Sequence, residues 1–133
     1  MKNETKLWIE YADENLLSAK ILLDSHLYNP SLQNSQQAIE KFLKACFIEK
    51  NTKLQKTHTI TILVEKLKVY NIYISINEDD IDLIDSIYLT SKYPFGSVLP
   101  DFEPDETICK QCIDIANSVK KDVEYFLKVS NSK

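Results

Sequence analysis

Arginine is absent from this 133-residue sequence, and all sixteen basic residues are lysines. A phosphate group must therefore be held by ammonium groups, hydroxyls or backbone donors, because the guanidinium fork that binds phosphate in a bidentate manner is missing. Twenty acidic residues leave a net charge of −4. This balance argues against a broad nucleic-acid-binding surface, since proteins that follow the phosphate backbone usually have a basic balance.

Glycine and proline are also scarce, with one glycine, Gly96, and four prolines. A single glycine cannot build a glycine-rich loop around nucleotide phosphates, and few prolines leave long stretches free to form helix. The 44% of hydrophobic and 27% of charged residues are typical of a globular protein. The length fits one domain, so the sequence predicts a single all-α domain over residues 1–133, with its core at about residues 5–129.

No apolar run reaches the length of about 18 residues that a membrane span needs, so no membrane association is expected. Three cysteines, an odd number, and the absence of a charged-then-apolar leader favour a reducing, cytoplasmic location. Cys109 and Cys112 have the spacing of a redox pair or of half a zinc site, but they continue an apolar stripe at helical intervals. The pattern favours core packing, and neither a metal nor a cofactor is predicted.

Apolar residues recur at helical spacing in five segments, and the second is apolar around so much of its circumference that it should lie at the centre. The pattern predicts an antiparallel, up-and-down bundle of four to five helices with a long loop, residues 92–103, before the last helix. The segments run from Leu7 to Leu23, from about Ser31 to Lys50, from an N-cap at Thr57 to about Tyr70, from an N-cap at Asn77 to about Ser91, and from about Pro104 to Val129.

The first segment carries one apolar stripe, and a single amide, Asn15, falls on it. A buried amide needs a hydrogen-bond partner, so Asn15 is expected to bond to a neighbouring helix. The apolar members of the stripe are Trp8, Tyr11, Ala12, Ala19, Leu22 and Leu23.

The second segment has one narrow polar strip. Within it, Glu40 and Lys44 are four residues apart, in the order that favours an ion pair on an exposed helix surface. The structural interpretation is a solvated strip. In the functional interpretations, Gln37 and Lys44 contribute to a ligand site, or the strip binds a protein partner. Its members are Gln33, Gln37, Glu40, Lys41 and Lys44.

Cationic residues precede the third helix, at Lys53, Lys56 and His58. Free backbone N–H groups and the positive end of the helix dipole favour an anion there, so a phosphate group is a candidate ligand. The structural alternative is that Thr57 caps the helix, His58 packs against a neighbour and the lysines stay in water. Nucleophilic hydrolysis has little support, because neither histidine has an evident nucleophile or orienting partner.

Taken together, these residues resemble the HEPN domain, a helical module whose name refers to nucleotide binding in higher eukaryotes and prokaryotes. Two positions depart from the family pattern: Asn15 stands where aspartate is frequent, and Lys92 stands where arginine is frequent. The resemblance spans roughly residues 8–127. It rests on Trp8, Ala12, Asn15-Leu16 and Ala19, on Tyr28, on Gln36-Gln37-Ala38 with Glu40-Lys41 and Lys44-Ala45, on Thr57-His58, and on Tyr88 with Lys92-Tyr93-Pro94.

The resemblance implies a helical bundle that is frequently a homodimer and often encoded beside a minimal nucleotidyltransferase. Some members are ribonuclease toxins, which use an arginine followed several residues later by a histidine. This chain has no arginine and no histidine after His58, so that pair cannot form. Lys92 can replace the charge but neither the fork nor the proton carrier, and enzymatic activity is therefore not expected.

The expected function is that of a noncatalytic nucleotide- or phosphate-binding partner of a minimal nucleotidyltransferase, in a toxin–antitoxin-like system. A helical protein–protein interaction module without a ligand is the alternative, and a HEPN ribonuclease toxin is a lesser one. Lys56 and Lys92 would supply charge, although the resemblance alone implies that Lys92 converges on the third helix. Tyr93 or Tyr28 would offer a stacking face for the base. The candidate binding residues are Lys56, Thr57, His58, Lys92, Tyr93, Tyr28, Lys53, Gln37 and Lys44.

Overall fold

The computed structural model describes residues 1–53, 55–92 and 104–131, with the backbone alone for residues 89–92, 130 and 131. Within these ranges the secondary structure is entirely helical, as predicted, and none of the helices is both long and apolar enough to cross a membrane. The predicted long loop lies outside the described residues, apart from Lys92. The helices are α1 (Asn3–Asp24), α2 (Tyr28–Glu49), α3 (Ile60–Lys68), α4 (Glu78–Lys92) and α5 (Glu106–Asn131).

The helices α1 and α2 form an antiparallel hairpin. Thr5 Oγ1 donates to Glu49 Oε1 at 2.9 Å near one end of the hairpin, and Ser31 Oγ donates to the carbonyl oxygen of Ala19 at 2.8 Å near the other. Residue numbers therefore rise along one helix as they fall along its partner.

Asn15 bonds across this hairpin, which confirms the prediction. Its Nδ2 donates to Asn34 Oδ1 at 2.9 Å, and its Oδ1 accepts a hydrogen bond from Lys41 Nζ at 2.7 Å. An amide on an inward-facing stripe is thus satisfied from two positions on α2. Asn15 contributes to the register of the hairpin as well as to its stability.

The predicted inward stripe of α1 is only partly right. Ala12 and Ala19 are fully buried, but Tyr11 is 48% exposed. The small alanines allow α1 to approach its neighbours closely, so the buried line follows Ala12, Leu16 and Ala19. The Tyr11 ring lies to one side of that line, with Lys41 Nζ at 6.0 Å from its centre.

The central position predicted for α2 is confirmed, since it contacts each of the other described helices. Fourteen of its 22 residues are buried, so almost its whole circumference is inside the bundle. The helix α5 runs parallel to α2. Cys109 Sγ donates to the carbonyl oxygen of Tyr28 at 3.4 Å near one end, and Lys50 Nζ lies 5.5 Å from the centre of the Phe126 ring near the other.

Within the described ranges, three helices are followed two or three residues later by a residue with a positive φ angle: His26 (59°), Asn51 (57°) and Asn71 (59°). At the end of α1, the Leu27 N–H donates to the Leu22 carbonyl at 2.8 Å, and the other two helices close in the same way. Glycine is the usual residue for this conformation. With one glycine in the chain, histidine and asparagine take its place.

All three cysteines are free and buried, which confirms the core packing predicted for Cys109 and Cys112. Desolvation by burial raises the pKa of Cys46 to about 12, and the carboxylate of Glu49 adds to the effect. Burial likewise raises the pKa of Cys112 to about 12 and, to a lesser extent, the pKa of Cys109. Among the described residues there is no group of three or more histidine, cysteine or acidic side chains that could hold a metal ion.

The buried thiols should react slowly with disulfide reagents. They should also make the free energy of unfolding depend on pH in the alkaline range. A pKa of about 12 instead of 9.0 lowers the thiolate fraction of Cys46 and Cys112 at pH 8 by about 1,000-fold. The thiols of the unfolded chain ionise at a lower pH than the buried thiols, so ionisation stabilises the unfolded state. The free energy of unfolding should therefore fall as the pH rises from 9.0 towards 12. Mass spectrometry of disulfide labelling, with and without urea, measures the protection, and equal labelling rates in both would contradict it.

Candidate functional site

The carboxylate of Glu40 is buried where α2 meets the segment before α3. Its side chain is only 5% exposed, although the sequence placed it on an ordinary polar strip. Oε1 accepts from Lys44 Nζ at 2.8 Å and from His58 Nδ1 at 2.6 Å, and Oε2 accepts from Gln36 Nε2 at 3.1 Å. A buried charge is tolerated when it is paired and hydrogen-bonded in this way.

His58 is held on two sides. Its Nδ1 carries the proton of the bond to Glu40, because an ionised carboxylate can only accept. The ring stacks on Tyr88 of α4, with centroids 5.0 Å apart and planes inclined by 21°. The prediction that neither histidine has an orienting partner is therefore wrong for His58.

The His58 side chain is about half exposed to solvent. The side chain is 48% exposed, and no residue in the described part of the chain hydrogen-bonds to Nε2. A ring fixed at Nδ1 and open at Nε2 can hold an anion through an N–H when it is protonated, or accept a proton when it is neutral. This ring is the most chemically capable group of the site.

Lys44 and Gln37 are connected to His58 through Glu40. The Lys44 side chain is 8% exposed and its ammonium is paired with Glu40. Gln37 Nε2 donates to Gln36 Oε1 at 2.9 Å, and Gln36 in turn donates to Glu40. Both residues therefore act on anything bound at His58 through the carboxylate of Glu40.

The start of α3 is occupied by a carboxylate from α4. Asp85 Oδ1 accepts from the Ile60 N–H at 2.7 Å, and Asp85 Oδ2 accepts from the Thr61 hydroxyl at 2.8 Å and from the Thr61 N–H at 3.3 Å. Negative charge at this position complements the helix dipole. The expectation that the first N–H groups of this helix are free for a phosphate is therefore wrong.

Thr57 does not cap α3. The helix begins at Ile60 and its N-cap residue is Thr59. Thr57 Oγ1 instead accepts from the Thr59 N–H at 3.1 Å, which closes a turn just before the helix. The N-cap prediction for Thr57 is wrong because Asp85, remote in sequence, takes over the capping role.

The predicted lysines are placed unequally. Lys53 and Lys56 are exposed in the segment between α2 and α3, and Lys56 precedes His58 by two residues. Lys92 is the last residue of α4, and the structure describes its backbone alone. Tyr93 lies outside the described residues. Of the predicted lysines, Lys56 is therefore the exposed cation that lies nearest to His58 in the sequence.

Tyr28 is not brought to His58. It is the first residue of α2, twelve residues before Glu40, which corresponds to about 18 Å along the helix axis. Its hydroxyl lies 3.1 Å from His26 Nδ1. A base stacked on Tyr28 would be remote from the ring of His58.

Four members of the site were not identified from the sequence as functional: Gln36, Glu40, Tyr88 and Asp85. The first three are among the residues that carry the HEPN resemblance. Their presence together with His58 in that pattern was the signal that could have identified them. Asp85 gave no signal of its own, because it acts on residues 24 and 25 positions away. It is one of several acidic residues of α4.

Comparison with known proteins identifies the family. The pattern of the HEPN domain matches residues 5–126. Two proteins of Methanocaldococcus jannaschii are related over most of their length. "Putative toxin MJ1304" is 30% identical over 135 residues, which cover 92% of this chain and 88% of that protein. "Putative toxin MJ0605" is 28% identical over 127 residues, which cover 96% and 86%.

Two solved structures have the same fold. TT1696 from Thermus thermophilus has a TM-score of 0.69 and 23% identity, covering 93% of this chain and 98% of that one. ST0689, described as an archaeal HEPN homologue, has a TM-score of 0.68 and 23% identity, covering 93% and 97%. At this identity the likeness concerns the fold, whereas the family match extends over nearly the whole sequence. The chain therefore belongs to the HEPN domain family.

Proposed function

We propose that this protein is a noncatalytic HEPN domain that binds a nucleotide or another phosphorylated ligand. It acts as an accessory partner of a minimal nucleotidyltransferase, in a toxin–antitoxin-like pair. The observation that carries the proposal is the half-exposed His58 ring, oriented by buried Glu40 and stacked on Tyr88, with no hydrogen-bond partner at Nε2 among the described residues.

The charges around His58 favour one position for the ligand. Lys44 offsets the charge of Glu40, so a protonated His58 adds a positive charge beside a nearly neutral pair. Lys56 adds an exposed ammonium on the same segment. Asp85 repels a phosphate from the first turn of α3, so the ligand lies on the His58 side of the segment.

A ribonuclease toxin is the second candidate function. It is favoured by the names of the two relatives from M. jannaschii, and by the carboxylate that orients His58 as a general base requires. Phosphoryl transfer also needs a group that stabilises the charge developing on phosphorus-bound oxygens. Lys44 is committed to Glu40 and arginine is absent, which is why binding without cleavage is preferred.

The outer face of α1 supports association with another protein. Leu7, Tyr11, Leu17 and Ile21 are 45%, 48%, 58% and 55% exposed. Their spacing places them on the side of the helix opposite its buried residues. Large exposed apolar side chains that share a surface are typical of protein contact sites. This face is a candidate contact for the nucleotidyltransferase or for the second subunit of a homodimer.

The two histidines of the chain provide a direct test of ligand binding. Addition of ATP, GTP or inorganic phosphate should shift the ring signals of His58 in a saturable way, because its Nε2 contacts the ligand. The signals of His26, which lies beside Tyr28, should stay unchanged. Proton NMR of the wild type and of His58→Ala and His26→Ala assigns the signals. Absence of a saturable His58 shift at millimolar ligand would refute the proposal.

Lys56 should contribute to binding through its charge. Lys56→Glu reverses one charge near the ligand and should weaken binding about threefold to tenfold at low salt, with a smaller effect at high salt. Lys68→Glu is the matched control, because Lys68 is exposed at the far end of α3, where it pairs with Glu65 at 2.9 Å. Isothermal titration measures both. Equal effects of the two substitutions would mean that only the net charge matters.

Purified protein should not cleave RNA. Mixed-sequence RNA incubated with the wild type should remain intact, because the chain has no arginine to stabilise the charge of the transition state. Gel analysis of the wild type, His58→Ala and His26→Ala decides between the two candidate functions. Cleavage that is lost in His58→Ala and kept in His26→Ala would establish the ribonuclease function instead.

A further inference from the structure

A cleft lies between the C-terminal part of α5 and the segment that joins α3 to α4. Its volume is about 290 Å³. Its lining includes the rings of Tyr73, Tyr125 and Phe126, the carboxylate of Asp122 and the amide of Asn71. None of these residues takes part in the arrangement around His58.

The two tyrosines of this cleft are mostly exposed to solvent. Tyr73 is 66% exposed and Tyr125 is 72% exposed. Side chains of this kind give large, rigid contact areas at low conformational cost. Their common position on one cleft makes them candidate walls for a bound group.

The charge of the cleft selects the class of ligand. Asp122 is the only charged residue among the described residues that line it. Its Oδ2 accepts from the Ser75 N–H at 2.7 Å, and Oδ1 has no hydrogen-bond partner within the described part of the chain. A carboxylate and the faces of aromatic rings both attract cations, and the carboxylate repels phosphate.

One of these rings already interacts with an ammonium group of the protein. Lys50 Nζ lies 5.5 Å from the centre of the Phe126 ring, within the range of a cation–π contact. Lys50 itself is not part of the lining of the cleft. Because Lys50 already takes up part of the attraction of the Phe126 ring, a cation in the cleft would rest mainly on Tyr73, Tyr125 and Asp122.

Hydrogen bonds fix the backbone segments that carry the side chains of the cleft. The Ile72 N–H donates to the Leu67 carbonyl at 3.1 Å, which fixes the chain as it leaves α3 with Asn71 at a φ of 59°. The bond from the Ser75 N–H to Asp122 then ties the same segment to α5. A site that is formed before the ligand arrives loses little entropy on binding.

We propose that this cleft binds an organic ammonium group, carried either by a small amine or by a lysine side chain of another protein. The cleft lies beyond the C-terminal end of α3, whereas His58 precedes its first residue. The nine residues of α3 correspond to about 13 Å along the axis, so the two sites are separate. The proposal therefore holds whether or not a nucleotide binds at His58.

Choline and its neutral carbon analogue, dimethylbutanol, provide the test of charge. The two molecules have nearly the same shape, but only choline is a cation. Choline should shift the ring signals of Tyr73 and Tyr125 saturably in aromatic NMR spectra, assigned with Tyr73→Phe and Tyr125→Phe, and dimethylbutanol should not. Equal shifts by both molecules would overturn the proposal.

Two substitutions test the walls of the cleft. Tyr125→Ala removes an exposed ring and should weaken choline binding at least about threefold. Asp122→Asn removes the charge but keeps an oxygen acceptor for the Ser75 N–H, and should weaken binding to a similar extent. Tyr11→Ala is the control, because Tyr11 is an exposed ring remote from the cleft. Unchanged binding in both cleft variants, with unchanged thermal unfolding, would overturn the proposal.

The origin of the ammonium group can be separated in the same assay. Short peptides that contain lysine or trimethyl-lysine are titrated beside choline. Tighter binding of a peptide identifies a protein side chain as the ligand, and tighter binding of choline identifies a small amine. Either order supports recognition of an ammonium group, and failure of all three cations refutes it.

Discussion

The buried carboxylate of Glu40 is the interaction on which the candidate site depends. It joins three donors that come from two parts of the chain, since Gln36 and Lys44 belong to α2 and His58 precedes α3. Removal of one donor would leave the charge underpaired away from water, which is strongly destabilising. The same bond that satisfies Glu40 also gives the His58 ring its direction. The stability of this region and the orientation of His58 therefore rest on one set of contacts.

A second carboxylate, Asp85, fixes the chain on the other side of this segment. It holds the first turn of α3 against α4, only two residues after His58. Between them, Glu40 and Asp85 determine the path of the segment that carries the only exposed imidazole of the site. They also limit what the site can bind, because each carboxylate takes up donors or charge that a phosphate would otherwise use.

The sequence predicts the bundle more accurately than the site, for a physical reason. Periodicity identifies the side of a helix that faces inward, which is why the central position of α2 and the pairing of Asn15 were predicted correctly. Periodicity does not measure depth. A Glu–Lys pair at i,i+4 has the same spacing on a surface or in a core, so the burial of Glu40 and Lys44 was not visible. The cap from Asp85 connects distant residues and leaves no local pattern.

Family membership constrains function less than the individual residues do. The chain has an oriented imidazole at His58, which can move protons, but it has no arginine to stabilise the charge on phosphate. A proton carrier without a charge-stabilising partner is better suited to holding an anion than to breaking a phosphodiester bond. The oriented imidazole and the missing guanidinium are therefore consistent with each other if the site binds its ligand and releases it intact.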